Sequence, residues 1–195
     1  MSSVSSSAAP CFPLLGEPLS LDLVNTCIRK DGSVVDLLDR PSALAAWLAA
    51  EAGRQPWSGT VTAMDLKAVR AMRDAIATLL AAQRDCTPPS PTALRSVNQS
   101  LAIPAPSTKL IWTSTGPGKK VRSASGKRDA LLRALAIDAI SLLTGPQGKL
   151  LRVCEHPDCI LQFLACHPHR RWCSAAACGN RARVARHYHR QRASD

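Results

Sequence analysis

Four cysteines near the end of the chain, Cys154, Cys159, Cys173 and Cys178, form two C-x4-C pairs separated by thirteen residues. Each short pair can fold back to bring two thiolates to one point, and the stretch between them is long enough for a β-hairpin. Tetrahedral Zn2+ takes four thiolates at about 2.3 Å, and an all-cysteine shell leaves no open position for substrate. The spacing therefore predicts one structural zinc per chain on these four residues, with metal binding supplying folding free energy to the segment around it. His156, Cys166, His167 and His169 are also metal-capable, but they lack a repeated spacing and His156 lies inside the first knuckle loop.

The second pair runs directly into 170-RRWCSAAACGNRARVARHYHRQR-192. We expect 154-CEHPDC-159 to form a knuckle, 160-ILQFL-164 to pair with 170-RRWC-173 across 165-ACHPH-169, and a helix to follow with Cys178 in its first turn. There a thiolate would meet backbone N–H groups and the positive helix end. Knuckle, hairpin and helix in this order make a treble-clef-like arrangement. At helical spacing Ala177, Val184 and Tyr188 share a stripe expected to face the knuckle, and Arg183, Arg186 and Arg190 share the opposite side. Phe163 and Trp172 are expected in the small core of the finger, the alternative being a base-stacking role for Trp172 beside Arg170 and Arg171.

The chain has 195 residues, 46% apolar but only 4% aromatic, and a formal net charge of +11. That length supports one medium domain with a small appendage, or two small domains. From Leu150 onward eight arginines face three acids, so the cationic excess is densest where the cysteines are. Such a distribution suits a polyanionic partner. The eight cysteines do not form a secreted disulfide framework, and the start, 1-MSSVSSSAAPCFP-13, lacks the marks of a signal peptide. No apolar run approaches a membrane span. A cytoplasmic protein with reduced thiols, not associated with membranes, is the expectation.

Residues 1–13 are Ser/Ala/Pro-rich and expected to be disordered. The segment 19-LSLDLVNT-26 alternates Leu with polar residues, the period of a half-buried strand. Helices are predicted from Pro41, with Leu44, Trp47 and Leu48 on one face; over Thr62–Arg84, with a Thr62/Asp65 capping box and Leu66, Val69, Met72, Ile76 and Leu79 inward; over Pro91–Ala102, through Leu94, Val97 and Leu101; and over Arg128–Leu143, through Leu132, Leu135, Ala139 and Leu142. Between the last two, 109-KLIWTST-115 and 120-KVRSAS-125 flank Gly116-Pro117-Gly118 and should form a hairpin or a looser turn. Gly145-Pro146-Gln147-Gly148 reads as the domain boundary and a natural pivot. The fold class is α+β: a mainly helical body at 14–145 with a small antiparallel sheet, then the finger at 146–192.

The string 173-CSAAACGNRARVARHYHR-190, preceded by C-x4-C and RRW, resembles the CGNR zinc finger, named for the run here formed by Cys178, Gly179, Asn180 and Arg181. The stretch 16-GEPLSLDLVNT-26, with 70-RAMRDAI-76, resembles the ABATE domain that accompanies this finger in bacterial proteins. The resemblance implies an α+β N-terminal domain, a treble-clef zinc finger and a proposed role in stress-responsive transcription regulation. At positions matching the family pattern, Asp22, Asn25, Thr26 and Arg73 are candidate ligand-binding residues; alternatively Asn25 and Thr26 cap the strand end and Arg73 pairs with Asp22 to satisfy buried groups.

Two functions follow from this reading. The first is a DNA-binding transcription regulator, with Arg170, Arg171, Arg183, Arg186, Arg190 and Arg192 on phosphates and base edges, and an N-terminal domain that senses a small-molecule effector or makes a homodimer. The second is an RNA-binding or protein-docking factor in which zinc only holds the finger. With no Gly-rich phosphate loop, no nucleophile elbow and no histidine before the finger, no enzymatic activity is expected.

Overall fold

The computed structural model describes residues 11–105, 107–122 and 125–192. The fold is α+β. Helix α1 (Leu19–Val24) leads into the hairpin β1 (Cys27–Lys30) and β2 (Ser33–Asp36), followed by α2 (Pro41–Ala50), α3 (Ala63–Asp85) and α4 (Pro91–Leu101). A second hairpin, β3 (Ser107–Thr113) and β4 (Gly116–Arg122), precedes α5 (Lys127–Thr144). A 3-10 turn at Pro146–Leu150 then joins the third hairpin, β5 (Leu151–Val153) and β6 (Gln162–Leu164), and a π-helical turn at Ala175–Gly179 opens α6 (Asn180–Arg192). All three hairpins are antiparallel and two-stranded. No helix among the described residues is long and apolar enough to cross a membrane.

The long helix α3 is the axis of the body. Its start is the expected capping box: the Thr62 side chain accepts from the Asp65 backbone N–H, and the Asp65 carboxylate accepts from that of Thr62. A cap of this kind contributes about 1 kcal/mol. The inward face carries Leu66, Val69, Met72, Ile76, Leu79 and Leu80 against α1, α4 and α5. Trp47 and Leu44 of α2 and Leu131, Leu135 and Ala139 of α5 complete one apolar cluster. Two expected core positions move outward: Leu94 is exposed, and Leu131 rather than Leu132 is fully buried.

Residues 19–26 do not form a strand. All six residues of α1 are buried, Ser20 and Asp22 included, because Ser20 donates to Asp138 of α5 and Asp22 takes a guanidinium from Arg54. A segment buried on every side carries no periodicity that separates helix from strand. The second hairpin turns at Ser114-Thr115, one step before the expected glycines, so Gly116 pairs with Thr113 and Pro117 with Trp112. Of the expected disordered start, residues 1–10 lie outside the described residues, while Phe12 packs against the main cluster.

The Gly145–Gly148 segment is a packed joint rather than a pivot. A Cβ on Gly145 would stand 2.6 Å from the Ser141 carbonyl oxygen, and one on Gly148 would stand 2.7 Å from that of Leu142. These glycines permit close approach of backbone to backbone. Immediately after them, Leu151 and Leu164 enter the main apolar cluster. The third hairpin therefore belongs to two units at once.

Candidate metal centre and basic helix

Strands β5 and β6 hold the knuckle between them, so Cys154 and Cys159 sit in the loop of a hairpin whose register pairs Leu151 with Leu164 and Val153 with Gln162. The expected pairing of 160–164 with 170–173 is not formed. Residues 170–173 instead lie along the knuckle, with the Glu155 backbone N–H donating to the Arg171 carbonyl at 3.1 Å and the Cys173 N–H donating to the Cys154 sulfur at 3.4 Å. Cys178 falls in the π-helical turn before α6. Ser174 caps that turn by accepting from the Ala177 N–H, and Gly179 N–H reaches back to the Ser174 carbonyl.

These elements bring the four sulfurs within 4.8 Å of one another. Cys159 and Cys173 are 3.8 Å apart, and Cys173 and Cys178 are 3.5 Å apart. Thiolates bound tetrahedrally at about 2.3 Å stand about 3.8 Å from one another. The donor set is thus shaped for one zinc ion. Burial raises the Cys154 thiol pKa, and the Cys159 contact together with burial raises that of Cys173, while the contact with Cys173 pulls Cys159 well down. Such a group of thiols can ionise fully only around a cation. Phe163, fully buried, and half-buried Trp172 pack behind it as expected.

Two members of the Cys-Gly-Asn-Arg run have direct geometric reasons. Arg181 donates to the Cys178 sulfur at 2.9 Å, a charge-assisted bond that favours the thiolate. A Cβ on Gly179 would stand 3.2 Å from the Trp172 ring, so a larger residue would displace that ring. Arg181 was not among the expected site residues. Its signal was its place three residues after Cys178, on the same side of a helix. Neither His156 nor the others join the cluster: His156 Nδ1 accepts the Asp158 N–H, and Cys166, His167 and His169 are exposed.

The six arginines expected on nucleic acid divide into two groups. Arg170 is committed inward, donating to the Leu164, Trp172 and Cys173 carbonyls and to Glu17, with its guanidinium 4.4 Å from the Phe163 ring centre. Arg171 pairs with Glu155 at 2.5 Å and lies over Trp172. Arg183, Arg186, Arg190 and Arg192 are exposed on α6, a helix without a single acid. Val184 and Tyr188 are exposed as well, so the expected apolar stripe does not cover the knuckle. The helix projects from its metal-bound root.

The four candidate ligand residues of the body are all buried and serve internal bonds. Asn25 donates to the Gln162 carbonyl at 2.9 Å and accepts the Gln162 N–H at 2.8 Å. Glu17 accepts from the Leu164 N–H two residues on, and from Arg170. Together they occupy the free edge of β6 as a third strand would. Arg73 pairs with Asp36, not Asp22, through two bonds of 2.6 and 2.9 Å, and it also reaches Thr26. Asp22 belongs to a cluster with Glu51 and Arg54. Burial raises the carboxyl pKa of Glu17, Asp22 and Glu51. Beside the cysteines opens a cleft of about 390 Å3, lined by Phe12, Leu15, Ile28, Leu161 and Arg181 and by Cys159, Cys173 and Cys178.

Buried thiolates at tetrahedral spacing, held by a hairpin and a helix root, define a zinc-finger protein with one structural zinc per chain. Residues 151–191 match the CGNR zinc finger, and residues 17–146 match ABATE, described as "putative stress-induced transcription regulator". The chain belongs to the ABATE family. No match was found among curated proteins.

Proposed function

We propose that the protein is a DNA-binding transcription regulator, not an enzyme, that contacts duplex DNA through α6. The observation carrying this reading is the exposed, acid-free arginine helix anchored at the zinc site. The metal fixes the helix root, and Arg183, Arg186, Arg190 and Arg192 supply the charge. Four arginines on phosphates correspond to a log–log salt slope of about −3.6 on B-DNA. Arg170 acts as an internal brace in this reading and Arg171 is held by a surface ion pair to Glu155, which narrows the contact set. The body of residues 17–146 would bias binding by taking a small-molecule ligand or by pairing two copies. A ligand does so only through different affinities for two arrangements.

The test is fluorescence anisotropy of the zinc-loaded full chain on labelled duplexes between 50 and 200 mM salt. Arg183→Glu with Arg186→Glu should lower affinity at least tenfold and keep the zinc. Unchanged affinity in that variant would remove α6 from the contact. A preference for folded RNA over duplex DNA would instead support the RNA-binding alternative.

A further inference from the structure

The β3–β4 hairpin plays no part in the metal centre or in the buried seam. Its register places Lys109 opposite Lys120, Leu110 opposite Lys119 and Trp112 opposite Pro117. Alternate residues of a strand point to opposite faces. Lys109 and Lys120 therefore share one face, and Leu110, Trp112 and Lys119 share the other. All three lysines are exposed, and Leu110 and Trp112 are each 78% exposed. The Thr113 hydroxyl bonds, to Gly116 and Thr115, stay within the hairpin. Between Asp85 and Asp129 the sequence has no acidic residue.

Each of these features is unfavourable for a hairpin that serves only the fold. Like charges directly opposite one another across antiparallel strands are destabilising. A two-stranded hairpin in water is marginal on its own. Two large apolar side chains held in solvent add no core. A polyanion reverses the first penalty by neutralising the lysine pair, and a grooved surface reverses the last by covering Leu110 and Trp112. Double-stranded DNA offers both, since lysine positions a protein on phosphates and apolar side chains wedge into the minor groove.

We propose that the β3–β4 hairpin is a second DNA-contacting element, a basic arm that enters a minor groove turn first, so that Lys109 and Lys120 on one face meet the phosphates of one strand while Lys119, with Leu110 and Trp112 against the groove wall, meets those of the other. The inference rests on the DNA-binding reading of α6 and extends it to the body of the protein. It assigns residues 107–122 a role that does not involve zinc. Trp112 stands one pair from the turn, so its ring is the first large apolar group to reach the groove.

The experiment uses the zinc-loaded full chain and labelled duplex DNA. Lys109→Glu with Lys120→Glu should lower affinity at least tenfold and make the log–log salt slope shallower by about 1.8, two contacts at about 0.9 each. Lys109→Gln with Lys120→Gln should show the same change in slope, which separates lost contact from introduced repulsion. Trp112→Ala should lower affinity about tenfold without changing the slope. Duplex DNA should quench tryptophan emission in the wild type and not in Trp112→Phe. Zinc content of every variant should match the wild type and no melting temperature should fall below it, because the altered side chains are exposed and the Lys109–Lys120 pair is not stabilising. If the lysine variants keep wild-type affinity and slope while Arg183→Glu with Arg186→Glu loses binding, the hairpin assignment is overturned and the α6 reading stands. If the wild type binds no duplex, both fall. Tighter binding to a structured RNA of equal charge would overturn the duplex assignment.

Discussion

Replacing Asn25 by Ala removes both bonds that the Gln162 backbone makes to the residue capping α1. Asn25 is 1% exposed and Gln162 9% exposed, so the N–H and carbonyl released are shielded from water. Each buried polar group left without a partner costs about 1–3 kcal/mol. The two together imply a loss of about 2–6 kcal/mol, or about 1–3 kcal/mol if water reaches one of them. Against a total stability of about 5–15 kcal/mol for a domain, that is a large fraction. Asn25→Asp is the companion variant. It keeps the acceptor for the Gln162 N–H but sets a carboxylate oxygen against the Gln162 carbonyl, so it should cost at least as much. The assay is urea unfolding of the zinc-loaded protein, followed by far-UV circular dichroism and by zinc release to a chromophoric chelator. Both signals should shift together to lower urea, since the seam ties the body to β6. A loss below about 0.5 kcal/mol, or a shift in zinc release alone, would refute the view of Asn25 as a surrogate strand.

Cys173→Ser should abolish stoichiometric zinc and remove exchange protection from the knuckle and the root of α6, while the β5–β6 bonds persist because Leu151 and Leu164 stay in the main core; full zinc content in this variant would exclude Cys173 as a ligand. Arg181→Ala should retain one zinc but release it to chelator about tenfold faster, through loss of the charge-assisted bond to Cys178; an unchanged rate would make that bond incidental. For Glu51, burial raises the carboxyl above its ordinary 4.5 despite Arg54. Its stabilising contribution is therefore complete below that value and is lost as pH rises through the folded pKa. Glu51→Gln should flatten the fall in stability over that window, and an unaltered pH profile by urea titration would contradict it.

What was legible in the sequence was what is encoded locally. The Thr62/Asp65 cap and the face of α3 could be read because partner and signal lie within a turn of one another. The four ligands could be read because a metal site depends on cysteine spacing. Residues 19–26 misled because their polar positions are satisfied by Asp138 and Arg54, far along the chain, so burial extends all round and erases the period. The partner of β6 was misassigned because the β5–β6 turn is a metal knuckle rather than a Gly or Asn turn. Arg170 resembled its neighbours in composition, yet a carboxylate 153 residues away and three carbonyls take it out of the cationic surface. Arg73 found Asp36 instead of Asp22 for the same reason.

The dual membership of the β5–β6 hairpin means that the boundary between the two family segments is not a seam along which the molecule can be cut. A gene fusion that lifted the finger out at residue 146 would carry Leu151 and Leu164 away with their apolar faces bare and leave Glu17 and Asn25 facing nothing. The part of the finger that can vary independently is α6 beyond Arg181, because Arg170 is tied to Glu17 and Cys173, Cys178 and Arg181 to the metal cluster. Descent within this architecture should therefore exchange α6 surfaces freely while inheriting β5, β6 and α1 together, as one linked set.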